Sequence, residues 1–237
     1  MAEKPKAVVL LSGGRDSCVT AAIAGQTHRL ALAHASYGQR TEVRERRAFE
    51  DIADFYGVRE RLVVRMDYFA RIGGSALTDP HIAVPEVEDH QTPASRPTLS
   101  QGIPITYVPF RNAHLVSLGV SWAEVLGAEA VYLGAVWEDS SGYPDCRPEF
   151  YRLFGEVVRA GTKPETRLQI VTPVIGLRKW EIVRRGIELQ APLHLTWSCY
   201  QFEDEACGGC ESCVLRLQAF AGAGVRDPIA YKTRVGR

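Results

Sequence analysis

The stretch Ser12-Gly13-Gly14-Arg15-Asp16-Ser17 follows an apolar run over 7–11 and leads directly into a helix-like segment over 18–26. A strand that ends in Ser-Gly-Gly and opens at once into a helix leaves several backbone N–H groups without partners, turned toward one spot that suits an anion. Glycine takes positive φ and lets bare backbone approach a ligand, which a residue with a Cβ does only at a cost. A carboxylate at position 16 would repel a bound phosphate unless a divalent cation lay between them. Asp16 therefore points to Mg²⁺ bridging to phosphates, or to a helix cap where no ligand binds. The stretch reads as a phosphate-binding turn, with a glycine turn that merely caps a helix as the plain alternative.

Working outward, the chain contains no G-x-x-x-x-G-K-[ST] and no lysine within the loop, which separates it from the loop of common kinases and GTPases. The six residues instead resemble the S-G-G-x-D-S loop of the ATP pyrophosphatase (PP-loop) superfamily, whose members split ATP between the α and β phosphates. Periodicity predicts strands over 29–35 and 61–64 with a helix over 42–56 between them, its apolar positions at Val43, Phe49, Ile52, Ala53 and Tyr56. Strand–helix alternation implies parallel strands with right-handed crossovers and ligands at the strands' carboxyl ends. Further helices are expected over 111–127, 148–160 and 179–189, and strands over 130–136 and 168–171. Residues 73–101, with four prolines and little periodicity, are expected as a long surface loop.

The 237 residues carry 28 Lys and Arg against 28 Asp and Glu, with 46% hydrophobic residues. That supplies a core, and the neutral balance argues against a large nucleic-acid surface, so no stable nucleic-acid partner is expected. No apolar run of membrane-spanning length or signal-peptide character occurs, so a cytoplasmic protein without a membrane partner is expected. The run holding Arg40, Arg44, Arg46 and Arg47 is interleaved with Glu42, Glu45 and Glu50. It reads first as a solvated helix face and second as a tRNA or phosphate contact.

Cys199, Cys207, Cys210 and Cys213 follow a C-x₇-C-x₂-C-x₂-C pattern, with Gly208 and Gly209 in the tightest turn. Four thiolates at that spacing can close a tetrahedron around Zn²⁺. An iron–sulfur cluster is the rival, although the Cys-Pro of ferredoxin-type motifs is missing. Four protein ligands leave a metal no open position, which makes its role structural.

Five further segments appear in order: Tyr37-Gly38-Gln39-Arg40, Leu77-Thr78-Asp79, 107–112 (YVPFRN), 138–150 (EDSSGYPDCRPEF) and 196–200 (TWSCY). With the loop and the cysteines they resemble the 7-cyano-7-deazaguanine synthases, a nitrile-forming family of the queuosine pathway, over essentially the whole chain. Ser36 and Phe110 depart from that pattern, standing where an acidic and a small residue are usual. The resemblance implies an α/β fold, a Rossmann-like parallel sheet flanked by helices of the adenine nucleotide alpha hydrolase-like type, with a small C-terminal zinc-binding helical module. It divides the chain into a nucleotide and substrate domain over 1–190 and the module over 191–237. It also implies ATP and Mg²⁺ as cofactors beside Zn²⁺, 7-carboxy-7-deazaguanine and ammonia as reactants, and a homodimer.

On this resemblance Ser12, Gly13, Gly14 and Ser17 hold the pyrophosphate, flanked by Leu10, Leu11, Arg15 and Cys18, while Asp16 places Mg²⁺. Lys179 is either a second phosphate contact or an exposed helix lysine. Asp139 and Asp145 suit the N–H edge of a guanine-like base, and Arg111 or Arg147 the carboxylate; for each of the four, a turn residue or surface ion pair is the alternative. Asn112 and Glu138 belong to the same substrate set, and Tyr143 and Phe150 either stack on the base or pack. Asp16, Lys179 and Arg111 are the catalytic candidates. Cys146 raises the question of a nucleophile that two successive adenylations do not require. Competing readings are an amide-forming or tRNA-thiolating relative using Cys146 or Cys18, and a nucleotide-binding module without turnover.

Overall fold

The computed structural model describes residues 3–85, 103–137 and 142–232. Glu138 and Asp139, and the later part of the expected loop over 73–101, lie outside the described residues. Five parallel strands form one sheet in the order β3-β2-β1-β4-β5: β1 Lys6–Leu10, β2 Arg29–Ser36, β3 Arg61–Arg65, β4 Ala130–Leu133 and β5 Gln169–Val171. The helices are α1 Arg15–Thr27, α2 Glu42–Phe55, α3 Tyr68–Ile72, α4 Arg111–Leu126, α5 Pro148–Gly161, α6 Lys179–Glu188 and α7 Glu211–Gly222.

Alternation along β1 assigns the two layers. Ala7, Val9 and Leu11 pack with Cys18, Phe49 and Ile52 of α1 and α2, whereas Val8 and Leu10 pack with Ala123, Val120 and Leu126 of α4. The chain runs from β1 through β2 to β3 on one side and returns to place β4 and β5 on the other, so the switch point lies between β1 and β4 and opens a crevice at the strands' carboxyl ends. Ser12–Ser17 sits at that crevice. Two glycines make it possible. Gly13 has φ +88°, and a Cβ there would lie 2.5 Å from the Glu45 carbonyl oxygen; a Cβ on Gly134 would lie 2.7 Å from the Asp16 backbone.

Three expectations are corrected. Residues 75–78 of the expected surface loop are buried, because the Arg40 guanidinium gathers the carbonyls of Ala76, Asp79 and Ile82 at 2.8, 3.1 and 2.6 Å. The same contacts, with Arg44 stacked 4.6 Å over the Trp197 ring, mean that the run from Arg40 is not simply a solvated face. Val43, expected on the apolar face of α2, is 71% exposed, since that face is built from Ala48, Phe49, Ile52 and Ala53.

The C-terminal segment packs against the phosphate turn itself. The Trp197 N–H donates to the Gly13 carbonyl at 2.9 Å. Arg216, 2% exposed, holds Asp227 through Nε at 2.7 Å and Nη2 at 3.0 Å, and donates through Nη1 to Thr196 Oγ1 at 2.7 Å. A buried charge so fully partnered fixes the residues just before Trp197. Among the described residues no helix is long and apolar enough to cross a membrane.

Candidate active site

A cavity of about 330 Å³ opens at the carboxyl ends of β1 and β4. Its floor is the turn. Ser12 Oγ lies 3.1 Å from Ser17 Oγ and accepts the Gly14 N–H at 3.2 Å, while Ser17 Oγ donates to the Gly14 carbonyl at 3.0 Å. The N-cap position of α1 is Gly14, which offers no side chain to the helix's first-turn N–H groups. Leu10, Leu11, Ser12, Gly14, Arg15, Asp16 and Ser17 all line the cavity; Gly13 is packed beneath them, and Cys18 is buried in the core. His34 lies below the turn, its Nδ1 3.1 Å from the Leu11 carbonyl, and burial lowers its pKa so that it stays neutral.

Lys179, at the start of α6, also lines the cavity, and its Nζ meets Asp16 Oδ2 at 2.8 Å. Arg15 Nε meets Asp16 Oδ1 at 2.7 Å. Burial opposes ionisation of Asp16, but the Arg15 and Lys179 charges outweigh it and hold the carboxyl far below the usual range. Lys179 is thus not an exposed helix lysine.

The residues expected at the substrate divide by position. Arg111, Asn112, Tyr143 and Cys146 line the cavity. Arg111 donates through Nη1 to Tyr37 Oη at 2.8 Å, and its buried Nε has no partner among the described residues. Asn112 donates its N–H to Asp145 Oδ2 at 2.9 Å, so Asp145 satisfies the first turn of α4 from a different segment. Asp145 Oδ1 is buried and without a partner among the described residues; burial raises the pKa of this carboxyl. Tyr143 donates to Thr106 Oγ1 at 2.9 Å. Arg147 is exposed with its guanidinium 5.8 Å from the Trp137 ring centre, and Phe150 packs on Phe110, Tyr151 and Phe154; neither lines the cavity. Phe110, the departure before Arg111, has φ +56°, a conformation rare outside glycine, and is tied by its N–H to Tyr107 Oη at 2.8 Å.

The two cysteines outside the cluster are poor nucleophiles. Burial pushes the Cys18 thiol up to about 12 and the Cys146 thiol up to about 11. The other four bring their sulfurs within 4.8 Å of one another, and Cys199 Sγ and Cys207 Sγ each accept two backbone N–H groups at 3.2–3.4 Å. That set can hold a metal ion.

Sequence reasoning passed over several residues of the cavity wall, among them Gln39, Thr41 and Glu45. The only signal was the Tyr37-Gly38-Gln39 segment, whose Gln39 Nε2 donates to Glu45 Oε2 at 3.2 Å.

A Ser-Gly-Gly turn at the switch point of a parallel sheet, facing a side-chain-lined cavity and fastened by the segment that leads into a four-cysteine cluster, is the arrangement of the ATP-using PP-loop class. Residues 6–224 match the family described as queuosine biosynthesis protein QueC, and the chain belongs to that family. A 7-cyano-7-deazaguanine synthase of Chlorobium phaeobacteroides is 56% identical over 97% of this chain and 98% of its own. Those of Chlorobium chlorochromatii and Koribacter versatilis are each 54% identical over 97% of this chain, covering 97% and 94% of their own lengths.

Proposed function

We propose that this chain converts 7-carboxy-7-deazaguanine and ammonia to 7-cyano-7-deazaguanine at the expense of ATP, releasing AMP and pyrophosphate. The observation that carries this reading is convergence: Tyr37, Arg111, Asn112, Tyr143 and Cys146, drawn from segments far apart in sequence, line the cavity into which the turn opens. Turning a carboxylate into a nitrile removes two oxygens that leave poorly, so each needs activation. A first adenylation gives an acyl-adenylate that ammonia converts to an amide. A second, on the amide oxygen, lets that oxygen depart with AMP as the C≡N bond forms. The protein's part is to position reactants and stabilise phosphate charge.

In this reading Ser12, Gly13, Gly14 and Ser17 hold the pyrophosphate, with Lys179 and Arg15 beside it. Asp16 offers one carboxylate to Mg²⁺, which suits an ion that takes its remaining ligands from phosphates and water. Arg111 meets the substrate carboxylate and Asn112 and Tyr143 line the base, while Asp145, buried behind the cavity wall, holds Asn112 in place rather than meeting the base's N–H edge; Arg147 and Phe150 support the segment from outside. Residues 1–190 form the nucleotide and substrate domain, and 191–237 the metal module that closes it. Zinc suits the cysteines: tetrahedral bonds of about 2.3 Å put sulfurs about 3.8 Å apart, and Cys207 Sγ lies 3.8 Å from Cys213 Sγ. An iron–sulfur cluster would spread its cysteines wider, around an iron core. A cytoplasmic homodimer completes the reading.

The test is to incubate the metal-loaded protein with 7-carboxy-7-deazaguanine, ATP, Mg²⁺ and ammonium and resolve products by mass. Nitrile with AMP is expected; amide alone would indicate a truncated reaction, and no AMP a binding module.

A further inference from the structure

The segment joining β2 to α2 builds a hydrogen-bond chain that ends on Glu45. The Tyr37 N–H donates to Gln39 Oε1 at 2.7 Å, which fixes the orientation of the Gln39 amide and leaves its nitrogen to donate to Glu45 Oε2 at 3.2 Å. The other carboxyl oxygen, Oε1, lies 3.0 Å from Thr41 Oγ1, and that hydroxyl lies equally 3.0 Å from the Cys199 carbonyl. One hydroxyl has one proton for two acceptors. With Glu45 ionised, Thr41 donates to it. With Glu45 protonated, the carboxyl O–H donates to Thr41 Oγ1, and Thr41 turns its proton to Cys199. Both protonation states are satisfied without moving a heavy atom, a provision that a carboxylate of fixed charge does not need.

Glu45 is also placed where a proton must go. It lines the cavity beside the phosphate turn, its own backbone carbonyl packed against Gly13. The charged and titratable groups that face it are Arg111 from α4, already donating to Tyr37 Oη, Tyr37 itself, and Glu42 earlier on α2. Among the described residues none forms an ion pair with it. Desolvation dominates, and the Glu45 carboxyl is pushed up to about 7. Three other groups of the cavity are unsuited to accepting a proton near neutral pH. Asp16 is pinned by two cations, and burial holds the Cys146 thiol near 11 and the Tyr37 hydroxyl near 12.

We propose that Glu45 is the general base of this site, taking the proton that nitrogen sheds when ammonia attacks the acyl-adenylate. The assignment rests on the synthase reading above. The nitrogen lone pair forms the C–N bond, the C–O bond to AMP breaks with its electron pair leaving on AMP, and one N–H proton passes to the Glu45 carboxylate. The products are amide, AMP and protonated Glu45, which returns its proton to solvent before the next cycle.

The test uses full-length, metal-loaded protein in single turnovers with ATP, Mg²⁺ and 7-carboxy-7-deazaguanine, offered either ammonium or hydroxylamine. Hydroxylamine is unprotonated at neutral pH and attacks acyl-adenylates without help from a base. Glu45→Gln is expected to lower amide formation by about 10²–10⁴-fold while hydroxamate formation stays within about tenfold of wild type. At constant free ammonia the wild-type rate rises through about pH 7, and the Gln variant loses that inflection. Glu45→Asp, which keeps the carboxyl, exceeds the Gln variant in amide formation. Equal loss of hydroxamate and amide in Glu45→Gln, undiminished amide formation in it, or equal loss in the Asp and Gln variants overturns the assignment. Absence of AMP and amide from the wild-type protein overturns the synthase reading and this assignment with it.

Discussion

Asp16 and Glu45 line the same cavity and sit in opposite electrostatic surroundings. On the α1 side, Asp16 is clamped between Arg15 at 2.7 Å and Lys179 at 2.8 Å. On the α2 side, the carboxyl of Glu45 is met by the neutral donors Gln39 and Thr41. Burial acts on both carboxyls, and the presence or absence of a cation in direct ion-pair contact decides the outcome: one is locked ionised, the other poised near neutrality. Environments that push two titratable groups apart let one pocket hold charge on one wall and move protons on the other.

The sharpest way to break this contrast is to remove a cation from the Asp16 side. Lys179→Met is expected to reduce AMP formation by about 10²–10³-fold, read as AMP released per turnover at saturating ATP. The stability effect has a definite sign. A carboxyl whose folded pKa is depressed stabilises the fold above its unfolded value near 4 and loses that contribution as pH falls toward the folded value. Lys179→Met should therefore unfold at a higher pH than wild type in acid titration followed by circular dichroism.

Glu45 has the reverse sign. Its folded pKa is raised, so its contribution is complete below the unfolded value near 4.5 and is lost as pH rises through about 7. Glu45→Gln removes that loss. Relative to wild type it should gain roughly 1–3 kcal/mol between pH 5 and pH 8, seen as a Tm difference that grows with pH. A difference independent of pH would show that the two carboxyls do not differ as described. The smallest effect is expected at Cys146, whose high thiol pKa excludes it from both roles: Cys146→Ser should retain nitrile formation within about tenfold of wild type. Complete loss in a folded, metal-loaded variant would make the thiol a third functional group of the pocket.

The sheet, the phosphate turn and the cysteine cluster were legible because each is encoded locally. The apolar run of β1, the glycines that the turn requires and the spacing of four thiols do not depend on distant residues. The Glu45 wall was not legible for the opposite reason. Glu45 stands among arginines and glutamates that read as a solvated face, and its environment is completed by Cys199, 158 residues beyond Thr41. The destination of the Arg40 guanidinium, three carbonyls of a proline-rich segment, escaped local pattern in the same way. Asp145 reads from sequence as a carboxylate offered to the N–H edge of a base, yet one of its oxygens is committed to the first turn of α4.

The bond from the Trp197 N–H to the Gly13 carbonyl sets a timetable on the ribosome. Translation at about 5–20 residues per second puts roughly 10–40 s between the emergence of the turn and that of the tryptophan. The cysteines that complete the neighbouring cluster emerge later still. A nascent chain can pair its early strands, but the turn lacks its fastening until the far end of the polypeptide has been made. Release of a stalled or prematurely stopped chain would then yield a protein with an ordered sheet and an unfastened turn.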